Sequence, residues 1–122
     1  MLNQRNPHTA YRRVDFDARV AGSSPQDLVK LCYEQVISAL GRALLANERH
    51  DNRMKSEALT RASSALIALQ MGISGEGSMA DALNQLYTAA RQTVLDNVVQ
   101  FSPETIATIR ADFVEISAAM NG

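Results

Sequence analysis

Tryptophan is absent, and aromatic residues make up only 5% of the 122-residue chain. A platform that stacks single-stranded bases needs more rings than that. Cysteine occurs once, at Cys32, so no internal disulfide can form. Its neighbours Leu31, Tyr33 and Val36 suggest a thiol buried as a small hydrophobe, and no local His is there to activate it. No apolar run reaches the ~18 residues of a membrane span, so no membrane insertion is expected. The opening Met1-Leu2-Asn3-Gln4-Arg5-Asn6-Pro7-His8 lacks the apolar stretch of a secretory signal, and a cytoplasmic location is expected. An excess of one charge is missing too: 12 Lys+Arg face 13 Asp+Glu, net −1. Residues 1–61 hold 10 basic and 7 acidic side chains (+3), and residues 62–122 hold 2 and 6 (−4). Neither value drives binding by counterion release, so nucleic acid is not an expected partner. The polarity reads as solvated helix faces.

Proline is scarce and informative by position. Pro7, Pro25 and Pro103 are the three, and none lies between 26 and 102. That stretch is rich in Ala, Leu, Gln, Arg and Glu and has almost no strand-like alternation, which favours helix. The chain is 46% apolar and 20% charged, ordinary for a globular domain. One domain is the default at this length. It buries about two-thirds of its unfolded surface and needs no disulfide or metal.

Four helices follow from the pattern. Ser24-Pro25-Gln26-Asp27 opens the first. Ser24 caps the free N–H groups, Pro25 sits where a missing N–H costs nothing, and Asp27 meets the positive end of the dipole. Val29, Cys32, Tyr33, Val36, Leu40, Ala43 and Leu44 then share one face, giving a helix over about 25–46. Residues 47–52 read as a polar loop. The second helix spans about 53–72, with Leu59, Ala62, Leu66, Leu69 and Ile73 stepping 3, 4, 3, 4. The glycine-rich Gly72-Ile73-Ser74-Gly75-Glu76-Gly77 ends it. The third starts near Ser78 with a stripe of Met79, Leu83, Leu86, Ala90, Val94 and Val98. The fourth opens on Ser102-Pro103-Glu104 and carries Ile106, Ile109, Phe113, Ile116 and Met120. Short connections imply an all-α, antiparallel up-down four-helix bundle over 24–122. Residues 1–23, with Tyr11, Val14 and Phe16 in a basic setting, form a short N-terminal arm or helix.

No chemistry-bearing constellation emerges. A carboxylate-bridged metal site in a bundle needs inward Glu-x-x-His pairs, whereas Glu48 and His50 share a loop and His8 lies in the arm, so no metal is expected. The glycine-rich turn has no Lys after its last Gly and follows a helix, which fails the context of a phosphate loop. No nucleophile–base pair can be read, so neither an enzyme nor a cofactor is expected. A histidine phosphotransfer bundle using His50, beside Arg49 and Arg53, is a distant alternative. The remaining signal is a surplus of apolar residues. Ile67 and Met71 lie off the second-helix seam, and Ala80, Tyr87 and Leu95 lie off the third-helix stripe. They either line an apolar strip for an amphipathic partner helix or fill the core of an imperfect bundle. Met71 and Met79 flank the glycine-rich turn, and Met adapts well to such a surface.

Several segments resemble one family. Ser24-Pro25 followed by Leu28-Val29-Lys30-Leu31-Cys32-Tyr33-Glu34 is similar to the first-helix motif of the FliS-type flagellar export chaperones. Lys55-Ser56-Glu57-Ala58-Leu59-Thr60-Arg61-Ala62 is similar to their second-helix opening. Gly77-Ser78-Met79-Ala80-Asp81-Ala82-Leu83-Asn84-Gln85-Leu86-Tyr87 resembles their third-helix start, and Tyr11 falls where the family has an N-terminal Tyr. The resemblance covers about residues 11–98. It implies a cytoplasmic chaperone that binds the disordered C-terminal segment of flagellin, prevents early polymerisation and delivers it to the flagellar type III export apparatus. The export gate and other flagellar regulators are further implied partners. By position, the resemblance places Tyr11 in a movable segment, and Leu83 and Tyr87 near the substrate surface. The off-seam strip and the Met pair add Ile67, Met71 and Met79 as partner-binding candidates. A helical adaptor for another amphipathic partner is the alternative.

Overall fold

The computed structural model describes residues 22, 24–73 and 75–121. Tyr11 and nearly all of the expected arm lie outside the described residues. The described residues form four helices: α1 (Pro25–Glu48), α2 (Asn52–Met71), α3 (Ser78–Val99) and α4 (Pro103–Asn121). Among the described residues there is no strand. No described helix is long and apolar enough to cross a membrane.

The helix starts follow the capping chemistry of the sequence. Ser24 is extended (φ −71°, ψ 165°), and its hydroxyl accepts from the Asp27 N–H at 3.2 Å. Asp51 caps α2 by accepting from the Met54 N–H at 3.0 Å. Ser102 caps α4 by accepting from the Thr105 N–H at 3.3 Å. Such caps satisfy N–H groups that have no partner within the helix. Gly77 precedes α3 without a side-chain cap.

The first connection is shorter than the polar run 47–52 suggests. Asn47 and Glu48 stay in α1, because polarity alone does not break a helix, and the turn begins at Arg49. His50 then takes the left-handed conformation (φ 55°), usually filled by Gly, and the Asp51 N–H reaches back to the Ala46 carbonyl at 2.9 Å. The α2–α3 turn uses glycine in the expected way, with Gly75 at φ 83° and Gly77 at φ 120°.

The three-residue linkers 49–51 and 100–102 and the six-residue linker 72–77 set neighbouring helices antiparallel. The helices form a ring in which α1 packs on α2 and α4, and α2 on α3, while α3 and α4 meet only sparsely. Val36, Leu40 and Ala43 of α1 meet Leu59, Ala62 and Leu66 of α2 in a core completed by Val94, Ile106 and Phe113. Burying such side chains is worth about 1.5–3 kcal/mol each. On the α1–α4 side, Gly41 leaves room for Arg110, whose Nε donates to the Ile37 carbonyl at 3.0 Å.

The core face of α3 differs from the expected stripe. Tyr87, Ala90, Val94 and Asn97 are buried, whereas Met79 and Val98 are exposed, Val98 at 55%. The helix is rotated so that Asn97 faces inward in place of Val98. The reason is hydrogen bonding: Asn97 donates to the Thr93 carbonyl at 2.8 Å and accepts from the Ser102 N–H at 2.6 Å, fixing the α3–α4 turn. Met120, expected on the α4 seam, is likewise exposed near the helix end.

Candidate functional site

The expected partner surface divides into a buried part and an exposed part. Tyr87 belongs to the buried part, at 3% exposure. Its hydroxyl is 2.8 Å from that of Tyr33, and the pair bridges α3 and α1. The Tyr33 and Tyr87 rings stand edge-on with centroids 6.2 Å apart, and Phe113 of α4 lies 5.3 Å from Tyr33 and 6.3 Å from Tyr87. One aromatic cluster thus joins three helices, near the geometry preferred by ring quadrupoles. Burial pushes the Tyr33 hydroxyl well above the ordinary phenol range and raises that of Tyr87, and the mutual bond raises Tyr33 further while lowering Tyr87. Tyr87 is therefore a core residue in this structure, and the expectation that it lies at the surface is corrected. Its spacing from Leu83, Ala90 and Val94 (4, 3, 4) carried that signal in the sequence.

Leu83 is half-buried and packs against the same core. Ile67, Met71 and Met79 are exposed, Met71 at 81% and Met79 at 72%. The two methionines stand at the end of α2 and in the first turn of α3, on either side of the glycine turn. Leu95 and Val99 of α3 are exposed as well.

The α2–α3 strip is not continuously apolar. The Gln70 amide donates to Asn84 Oδ1 at 2.9 Å and to Thr88 Oγ1 at 2.8 Å, and accepts from the Arg91 guanidinium. This polar ladder crosses from α2 to α3 between the methionines at one end and Leu95, one turn beyond Arg91, toward the other. Sequence reasoning missed it, because Gln, Asn and Thr at helical spacing carry no pairing signal across a connection.

Cys32 is half-buried, and burial raises its thiol above the ordinary value. His50 sits in the α1–α2 turn rather than on a helix face, which is not the placement a phosphotransfer histidine needs. Among the described residues, no group of three or more His, Cys, Asp or Glu is placed to hold a metal ion.

The family model described as flagellar protein FliS matches residues 7–120, nearly the whole chain. Among curated proteins, none matches the sequence significantly.

Proposed function

The chain belongs to the FliS flagellar protein family, and from that premise we propose that it is a cytoplasmic flagellar export chaperone. In this reading it binds the C-terminal segment of flagellin, which is disordered before assembly, keeps it from polymerising and hands it to the type III export apparatus. The observation that carries the reading is the family match over 7–120. Exposed Ile67, Met71 and Met79 on a bundle whose core is already filled support it. Apolar side chains on a helical surface suit an amphipathic helix, and Met accommodates varied partners.

The mechanism is coupled folding and binding. A disordered cargo segment orders as it buries its apolar face, and ordering costs about 2–5 kcal/mol or more of the gross interaction energy. Release at the export gate is correspondingly easier. Tyr11 belongs to a segment that competes for the same surface in this reading. Occupation by that segment lowers apparent affinity by the fraction of time the surface is covered.

Calorimetric titration with the last ~40 residues of a flagellin tests the proposal. The expected result is saturable one-to-one binding with a negative heat-capacity change, lost in a Met71→Glu/Met79→Glu variant that keeps its helix content. No heat at several temperatures, with no co-elution on a sizing column, refutes the flagellin reading and leaves a helical adaptor for another amphipathic partner.

A further inference from the structure

The chain places its two most accessible described methionines together at one turn, and the geometry points to a reversible oxidation site there. We infer that Met71 and Met79 are the peroxide-sensitive sulfurs of this protein, and that their conversion to sulfoxides switches off partner binding. The binding half of this inference rests on the chaperone reading.

Access is the first argument. Met71 and Met79 are 81% and 72% exposed, whereas Met54 is half-buried and Met120 is exposed by 43%. Gly75 and Gly77 in the intervening turn carry no side chain, and a Cβ placed on either meets nothing within 4 Å.

Chemistry is the second argument. The thioether sulfur attacks a peroxide oxygen, the O–O bond breaks, an S–O bond forms and water leaves. The sulfur loses two electrons and the peroxide gains them. No deprotonation is needed, so the reaction proceeds at neutral pH. The chain's other described reactive sulfur, Cys32, reacts as a thiolate, and its half-burial between α1 residues of the core holds it in the thiol form. Methionine sulfoxide is polar and chiral, is returned to thioether by sulfoxide reductases, and disrupts Met-containing interfaces.

The consequence follows from position. Both side chains are exposed, where the chaperone reading puts the partner, and neither belongs to the buried core. Oxidation therefore changes the binding face while leaving the bundle folded.

The test is graded hydrogen peroxide treatment of the full chain, with peptide mass spectrometry, helix content by circular dichroism, and titration with the flagellin C-terminal peptide. The expected result is sulfoxide at Met71 and Met79 before Met120 and Met54. Affinity should fall about tenfold or more with helix content unchanged, since each buried Met contributes enough for that loss. A Met71→Leu/Met79→Leu variant should show the same affinity before and after the treatment, whatever that affinity is relative to wild type, and reductase treatment should restore the wild type. Sulfoxide spread evenly over the methionines overturns the inference. So does unchanged affinity with both sites oxidised, or equal loss in the double Leu variant, which places the sensitive sulfur elsewhere. If the untreated protein fails to bind the peptide, the chaperone reading falls and the switch falls with it, whereas the order of sulfoxide formation still reads the site chemistry alone.

Discussion

Removing one hydroxyl from the Tyr33–Tyr87 pair isolates a buried polar contact inside an otherwise apolar core. The two oxygens lie 2.8 Å apart, and both residues are almost fully buried. Tyr87→Phe leaves the Tyr33 hydroxyl without its partner and without water, and Tyr33→Phe does the same to Tyr87. Each single change should cost about 1–3 kcal/mol. The ring contacts with Phe113 survive, because Phe keeps the ring. The double variant removes both hydroxyls together, so no orphaned group remains, and its loss should be smaller than the sum of the singles. The difference is a coupling energy of about 1–2 kcal/mol. Urea denaturation followed by circular dichroism measures it. With a slope of about 2 kcal/mol per M, a single variant shifts the midpoint by about 0.5–1.5 M, while the slope itself stays constant. Additive losses, or single losses below about 0.5 kcal/mol, would refute the claim that this pair matters as a bonded unit.

Three further outcomes follow from the same geometry. The stability of the wild type should fall as pH rises above the unfolded phenol value of 10.0. Burial raises both phenols in the folded state, so the folded chain holds its protons where the unfolded chain has lost them. The double Phe variant should lose less over that range in denaturation curves recorded from pH 8 to 11. His50→Gly should stabilise by about 0.4–1 kcal/mol, because φ 55° strains any residue with a Cβ; a lower thermal midpoint would contradict this. Asn97→Ala should cost about 1–3 kcal/mol by leaving the Ser102 N–H unpaired, and amide exchange at Ser102 should accelerate.

Much of this architecture could be read from the sequence, for identifiable physical reasons. Ser24-Pro25 and Ser102-Pro103 mark helix starts through capping and fixed φ, and the structure places helices at both. The Leu59, Ala62, Leu66, Leu69 seam is buried as its spacing requires. The third helix was harder. Hydrophobicity favours Val98 over Asn97, yet the inward residue is the one whose amide serves two backbone groups of the following turn. Hydropathy patterns do not see that kind of bond. Tyr87 was ambiguous because tyrosine suits both a core and an interface. Its spacing from Leu83, Ala90 and Val94 favours the core, but the partner hydroxyl 54 residues away becomes visible only in the folded arrangement. The exposure of Ile67 and Met71 follows from their positions off the second-helix seam, whereas Met79, expected on the third-helix stripe, is exposed against that expectation.

The uneven closure of the ring has a consequence for synthesis. The last helix is held chiefly by the first, through Phe113 packed on Tyr33 and the Arg110 bond to the Ile37 carbonyl across 73 residues, and it meets its immediate predecessor only sparsely. A chain leaving the ribosome can pair α1 with α2 and α2 with α3 in order. The side of α1 that receives α4 stays uncovered until the C-terminal helix has emerged. At ~5–20 residues per second, about 4–15 s separate the appearance of Ile37 from that of Arg110. For that interval the nascent protein carries an open apolar face of its own, and is itself in need of protection before it can give any.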